Sequence, residues 1–593
     1  MSYKISAKLP IILLGVIILT AFFLMVKTAR EESAIMDELA HIPAGYGYVR
    51  YFDFRLNPEH PPLLKVLATL PLLTLDLNFP ITDKSWVTDI NGQWEAGAKF
   101  LYESGNDADK IVFISRIIPI LLTLITTILI YIWSRELFSK WWALIPPFLF
   151  AFSPTVLAHG HYVTTDIAAV FGIIFATYLF LRFFYRPSRK NLIWAGISLG
   201  VAELAKFSTV LLIPYFLVIL LFFLFSPLRR YKRWYYFGST LLIFLIALGV
   251  IYAVYFLLTL NYPVEKQVAD SKFILSSFSP RWLADVSIIL AQNPITRPLA
   301  EYLLGFLMVL QRSAGGNTTY FLGIVSAAGS KLYFPLVFLL KEALPILIFI
   351  FTAFAVGIWK LIKGLKEKTR FKRFADFLGT NFSEFSMIIF VIIYWIYSIQ
   401  SPLNIGFRHL LPSMPFIYIL TVAALKSLKF NFKKWAVSFI LLWFLAETII
   451  AAPYFLSYFN QIGGGTKHGY RYVTDSNYDW GQDLKRLVAF TNEKEINKIA
   501  VDYFGGGSSK YYLGDRAEYW RSAKGNPKDA GIEWLAVSIN TLQGAFGKLY
   551  PGHQRGPNDE YRWLGDLRLP PTSFGEVPQP DFRVGTSIFV YHL

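Results

Sequence analysis

Two short stretches of this chain combine residue types that suit acid–base chemistry beside an anion: Asp37-Glu38-Leu39-Ala40-His41 and Asn57-Pro58-Glu59-His60-Pro61-Pro62-Leu63-Leu64-Lys65. At 100° per residue, a helix over 35–42 carries Ile35, Leu39 and Ile42 on one apolar stripe and sets Asp37 and His41 nearly opposite, toward water. A carboxylate so placed suits general-base work on an acceptor hydroxyl. One carboxylate suffices when the leaving group is a phosphate, which needs little protonation. Glu38 flanks the stripe and is the competing base or a substrate contact. Pro61 and Pro62 cannot continue a helix from upstream but fit the first turn of a new one, so 63–72 is expected to restart as a short helix presenting Lys65.

Further charged groups stand where apolar sequence makes them costly. Asp166, in His159-Gly160-His161-Tyr162-Val163-Thr164-Thr165-Asp166, opens an apolar run. The helix dipole alone would favour an acid there. His159 and His161, two apart, face different sides of a helix and make a poor metal pair. Glu203 and Lys206, three apart, suit a mutual ion pair as well as phosphate binding. Lys341-Glu342 falls about nine residues, or about 13 Å, into an apolar run, and charge at such depth usually marks function. Arg408-His409 opens another run, where a guanidinium can hold a phosphate bidentately or simply reach back to the interface. In the tail, Asp479 and Gln482 are spaced as a helix cap and its answering N3 side chain.

The elements that must position these groups are membrane helices. The chain has 593 residues, 54% hydrophobic and 17% aromatic, with a mean hydropathy of +0.44. It is too apolar for a soluble multidomain protein. Its formal charge of +17 does not imply nucleic acid, because acids and bases are roughly balanced after residue 452 and the excess reads as topology. Absence of cysteine excludes disulfides, thiolate nucleophiles and cysteine-ligated zinc.

Apolar runs at 9–26, 111–133, 141–158, 163–183, 191–205, 207–227, 235–260, 333–360, 385–400, 409–425 and 435–452 predict eleven spans. Basic clusters at 182–190, 229–233, 360–373 and 426–434 share one side. They put the N-terminus in the cytoplasm and the 27–110 loop, the 261–332 loop and the tail outside a cell membrane. The expected fold is therefore mainly α: residues 1–452 form a polytopic bundle with amphipathic loop helices, and 453–593 form a soluble α/β domain. Strands are expected at 498–504, 534–538 and 586–591 and a helix at 480–490. Gly463-Gly464-Gly465 is too short for a phosphate loop and reads as a turn.

The Asp-Glu pair followed by His-Pro-Pro-Leu-x-Lys resembles the first outer loop of protein O-mannosyltransferases and related bacterial lipid-linked-sugar transferases, glycosyltransferase family 39. Tyr320-Phe321-Leu322-Gly323, Tyr333-Phe334-Pro335 before Lys341, Gly406-Phe407-Arg408-His409-Leu410-Leu411-Pro412 and Asp475-Ser476-Asn477-Tyr478-Asp479-Trp480-Gly481-Gln482-Asp483-Leu484 extend the resemblance. Two departures stand out: Glu342-Ala343 separates Lys341 from the following proline, and His409 replaces an aromatic residue. The resemblance implies the GT-C architecture and an inverting enzyme, with a polyprenyl-phosphate-linked sugar as donor and a protein, lipid or glycan as acceptor. It implies Asp37 as base with Glu38 and Asp166 in the catalytic group. His60, Lys65, Lys206, Lys341, Arg408 and His409 would contact donor phosphate or sugar, Lys341 and Arg408 foremost for phosphate. No cofactor is required on this reading, and cations in place make a divalent metal unnecessary. A transporter or flippase, or a membrane-anchored binding or sensory protein, is the alternative class. The lack of an internal repeat and the gathering of charge at the outer ends count against the first, and the two-part loop motif against the second.

Overall fold

The structure is a computed structural model that describes residues 2–366, 370–429, 431–552, 554–568 and 574–593. Among these, nine helices are long and apolar enough to cross a membrane: Lys8–Glu31, Ala108–Leu137, Thr165–Tyr185, Phe207–Leu224, Arg233–Leu258, Leu344–Gly364, Phe382–Gln400, Phe407–Ser427 and Lys433–Ala451. Two of the eleven expected runs are too short. The run at 141–158 is divided into Trp142–Leu144, Ile145–Phe152 and Pro154–His159, with Pro146, Pro147 and Pro154 each at a helix start. The run at 191–205 is the 15-residue helix Arg189–Glu203. The eighth run is likewise two helices, Tyr333–Lys341 and Leu344–Leu365, separated where Glu342 turns extended ahead of Pro345. Part of the basic stretch 360–373, residues 367–369, lies outside the described residues.

The two ends of the bundle differ as the basic clusters require. Asn261 N–H donates to Phe52 C=O at 3.0 Å, Leu322 N–H to Tyr472 C=O at 2.9 Å, and Tyr102 Oη to Gly506 C=O at 2.8 Å. The first loop, the second loop and the tail therefore meet at one end. At the other, Tyr185 Oη lies 3.1 Å from Ser383 Oγ, and Lys426 and Lys433 stack on Phe138 and Trp142.

Helix Met36–Tyr51 carries the Asp-Glu pair, and its next neighbour in the loop is Leu63–Thr69. The helix is enclosed on nearly every side, with Glu38 and all residues from Ala40 to Tyr48 buried. The two helices approach backbone to backbone: a Cβ on Gly45 would sit 2.3 Å from Lys65 C=O. Helix Gln93–Ala98 closes in from another side, and a Cβ on Gly97 would sit 1.8 Å from Leu39 C=O.

After residue 498 the tail builds a five-stranded sheet in the order Ala517–Tyr519, Ile499–Asp502, Trp534–Ser538, Ile588–His592, Phe582–Val584. The first three are parallel and the last two antiparallel. The expected strands are thus present. The expected helix at 480–490 starts later, as Leu484–Glu493. Asp479 does not cap it: its oxygens accept from Asn540 N–H at 3.0 Å and Gly481 N–H at 3.3 Å, while Gln482 Oε1 accepts from Trp480 N–H at 2.9 Å. These bonds fold 479–483 into a turn that lies against the membrane part. Ser33 N–H donates to Gln482 C=O and Met36 N–H to Trp480 C=O, each at 3.1 Å.

Candidate active site

A cavity of about 220 Å³ opens where the first loop, the second loop and this tail turn meet, and Asp37, His41, Glu59, His60, Arg312, Arg408, Asp475 and Trp480 are among its walls. Asp37 stands in the first turn of its helix with its side chain 21% exposed. The expected open water is this cavity. Asp37 Oδ2 accepts from Arg408 Nη1 at 2.8 Å, and the same nitrogen lies 3.3 Å from Asp166 Oδ2. Asp166, buried at the N-terminus of Thr165–Tyr185, also accepts from Lys206 Nζ at 2.6 Å. A relay of alternating charge, Asp37–Arg408–Asp166–Lys206, thus joins the base candidate to three membrane helices. The Arg408 guanidinium lies 4.2 Å above the Trp480 ring, which fixes its plane.

Several sequence-based expectations change. Glu38 is fully buried and does not line the cavity: its two oxygens accept from Arg116 Nε at 2.9 Å and Nη2 at 2.6 Å, with Val163 and Ile35 N–H groups completing the set. Arg116 also donates to Ala29, Glu32 and Ser33 carbonyls. A buried bidentate pair with every donor used holds the helix rather than a substrate. Lys65 is spent in the same way, donating to Tyr48 Oη, Asn57 C=O, Asn57 Oδ1 and His60 C=O at 2.7–2.9 Å. Burial pushes its pKa well down.

Lys341 contacts neither Glu342 nor the cavity. Its ammonium donates to the carbonyls of Leu456 at 2.8 Å and Asn477 at 2.5 Å, pinning the first part of the tail. Glu342 accepts from Tyr418 Oη instead. Glu203 and Lys206 do not pair, because the helix ends at Glu203 and the chain turns extended at Lys206; Glu203 accepts from Tyr302 Oη at 2.9 Å. His409 sits behind the cavity wall with Nε2 unpartnered.

His60 packs edge-on to His41 at 5.0 Å between ring centres. Burial lowers the pKa of both rings, so both are neutral near pH 7. His41 Nδ1–H donates to Val163 C=O at 2.7 Å. Asp475 faces the same cation: burial pushes its carboxyl up to about 6 against the opposing pull of Arg408.

Two groups were not foreseen. Arg312, near the C-terminal end of helix Arg297–Gly315, lines the cavity exposed, and among the described residues it makes no hydrogen bond or ion pair. Its signal was a basic residue in the last turn of an amphipathic helix followed by Gly315-Gly316-Asn317. Arg116 was hidden in the run 111–133, although one arginine in such a run is itself a signal. Among the described residues no group of three or more His, Asp or Glu is placed to hold a metal; the space between Asp37 and Asp166 is filled by the Arg408 guanidinium.

Bundle, outer loops and cavity define a polytopic membrane protein with an acid–cation site at one end. Residues 109–255 match the family model described as dolichyl-phosphate-mannose-protein mannosyltransferase, a glycosyltransferase family of the kind the loop motif resembles. The matched segment includes Asp166 and Lys206. No curated protein sequence matches the chain.

Among solved structures, an archaeal oligosaccharyltransferase, AglB of Archaeoglobus fulgidus in complex with an inhibitory peptide and a dolichol-phosphate, is 12% identical over 90% of this chain and 71% of its own, with a TM-score of 0.45. ArnT of Cupriavidus metallidurans bound to undecaprenyl phosphate is 13% identical over 92% and 96%, at 0.42. The protein O-mannosyltransferase Pmt1-Pmt2 complex of S. cerevisiae bound to its sugar donor is 19% identical over 42% of this chain and 33% of its own, at 0.31.

Proposed function

We propose that this chain is an inverting glycosyltransferase that moves a sugar from a polyprenyl-phosphate donor to an acceptor hydroxyl, a protein, lipid or glycan, at the outer face of the cell membrane. The observation that carries the reading is the division of labour at Asp37. Arg408 occupies Oδ2, and among the described residues Oδ1 has no hydrogen-bond partner, leaving it open to the cavity. The acceptor hydroxyl gives its proton to Oδ1 as its oxygen attacks the anomeric carbon. The bond from that carbon to the phosphate oxygen breaks on the opposite side, and the electron pair leaves with the phosphate. Charge growing on the phosphate is met by Arg312, the unpaired cation of the cavity, with Arg408 and Lys206 in a supporting field. These cations do the work a divalent metal would do, so chelation by EDTA is expected to leave transfer unchanged.

The test is incubation of the purified protein with radiolabelled polyprenyl-phosphate sugars and a panel of hydroxyl acceptors. Label moved covalently into an acceptor supports the reading. Label carried across a vesicle membrane without transfer would make the protein a flippase instead.

A further inference from the structure

On the side of the cavity formed by the 57–60 and 91–94 segments, a string of side chains ends in an acid that the mechanism above does not use. Lys65 Nζ donates to Asn57 Oδ1 at 2.8 Å, Asn57 Nδ2 to Gln93 Oε1 at 2.5 Å, and Gln93 Nε2 to Glu59 Oε1 at 2.6 Å. Asn91 Nδ2 holds Glu59 Oε2 from the other side at 3.1 Å. The carboxylate is thereby fixed in plane and rotation, yet among the described residues no lysine or arginine pairs with it. An ionised carboxylate has about four acceptor positions, so each oxygen keeps one free. Trp94 lines the same cavity, and the residue is 43% exposed.

We infer that Glu59, oriented through Lys65–Asn57–Gln93 and flanked by Trp94, is the sugar-reading wall of the site and takes a single pyranose or furanose ring of the donor by accepting hydrogen bonds from two neighbouring hydroxyls. The chemistry matches. Two fixed acceptor oxygens side by side suit a vicinal diol, and an exposed indole offers an apolar face to the ring's C–H groups. With no lysine or arginine in ion-pair contact among the described residues, the oxygens of Glu59 stay available to neutral donors, whereas a phosphate is repelled from this wall and directed toward Arg312. At about 220 Å³ the cavity is below the roughly 300 Å³ at which drug-sized ligands begin, so it admits one ring rather than an oligosaccharide. Lys65 acquires a role at the same time. It is a positioning residue for the sugar, acting through two amides.

The inference rests on the donor reading given above, and the experiment separates the two. Binding of sugar-free polyprenyl phosphate and of polyprenyl-phosphate-mannose, -glucose and -arabinose is measured for the wild type, Glu59→Gln and Trp94→Ala. Glu59→Gln keeps the shape of the wall but replaces one acceptor oxygen with an NH₂ donor. It is expected to weaken the preferred sugar-bearing donor by roughly 10- to 100-fold, with sugar-free polyprenyl phosphate held within about twofold. Trp94→Ala, at an exposed position, is expected to move the same pair of affinities in the same direction. Equal weakening of both ligands would mean that Glu59 only holds its loop, and unchanged affinity for every sugar-bearing donor would remove it from the site; either result overturns the inference while leaving transfer by Asp37 intact. A wild type that binds none of the four lipids would instead overturn the donor reading itself.

Discussion

At the scale of single residues, Asp37 is distinguished from its neighbours by having one oxygen held and one free. Asp37→Asn keeps the Arg408 contact through its amide oxygen but cannot take a proton, so turnover is expected to fall at least about a hundredfold while donor affinity stays close to wild type. Normal turnover in single-turnover sugar transfer would move the base elsewhere. Arg312→Gln should show the converse, a donor affinity lowered several-fold, most at low salt, with little change in acceptor dependence. Asp475 gives the site a pH response. Its carboxyl titrates at about 6 beside Arg408, so above that pH it adds a third negative charge where an anionic donor must dock. Donor affinity is expected to rise as pH falls from 7 to 5, and Asp475→Asn should flatten the profile. The stability sign agrees: because the folded state raises this pKa, the contribution is full below the ordinary carboxylate range and is lost as pH rises through about 6. Asp166 and Arg408 were legible in the sequence as charged residues that open apolar runs, and Asp37 from its place opposite the stripe of Ile35, Leu39 and Ile42. Glu38, Lys65 and Lys341 look the same in sequence. What sets them apart from Asp37 is that fixed partners already consume the charge, as Lys206 and Arg408 do for Asp166; the partners Arg116, Asn57 and the Asn477 carbonyl lie between 8 and 136 residues away.

At the scale of elements, packed helices fix the position of the base candidate. Helix Met36–Tyr51 is wedged between Leu63–Thr69 and Gln93–Ala98 by backbone contacts that leave no room for a side chain at Gly45 or Gly97. Gly97→Ala sets a methyl against the Leu39 carbonyl and must displace the helix that bears Gln93 and Trp94. It should lower transfer by an order of magnitude or more while the protein still inserts and purifies, as judged by size-exclusion profile and thermal midpoint. The apolar stripe of Ile35, Leu39 and Ile42 was read correctly as the packed side, yet periodicity could not tell that the opposite side would be roofed over as well. A hydrophobic pattern reports which face is dry; it does not report that Trp480 and Asp475 arrive from the far end of the chain to enclose the wet one. The same limit explains the span count. Eleven apolar runs were visible, but prolines divide the one at 141–158 and the one at 191–205 forms a helix of only 15 residues, while composition alone continues smoothly through both.

Across the whole molecule, both large loops meet the tail at one end of the bundle, and the side that end faces is a separate question. Because the chain has no cysteine, single cysteines can test it. Lys84→Cys and Lys510→Cys, both exposed, should react with an impermeant maleimide on intact cells, and Lys190→Cys should react only after lysis. Asp53, although in the same loop, is a poor probe because it is buried against Arg55. Labelling of Lys190→Cys from outside would invert the topology. The tail's strands were legible from their alternation, but its attachment to the membrane part was not, since backbone bonds from Ser33 and Met36 to Gln482 and Trp480 leave no mark on side-chain pattern. Those bonds set the order of events during synthesis. The base candidate is made within the first 37 residues, its cation 371 residues later, and the indole beneath that cation later still. A chain that ends before Trp480 therefore lacks one wall of the pocket, however complete its membrane helices are.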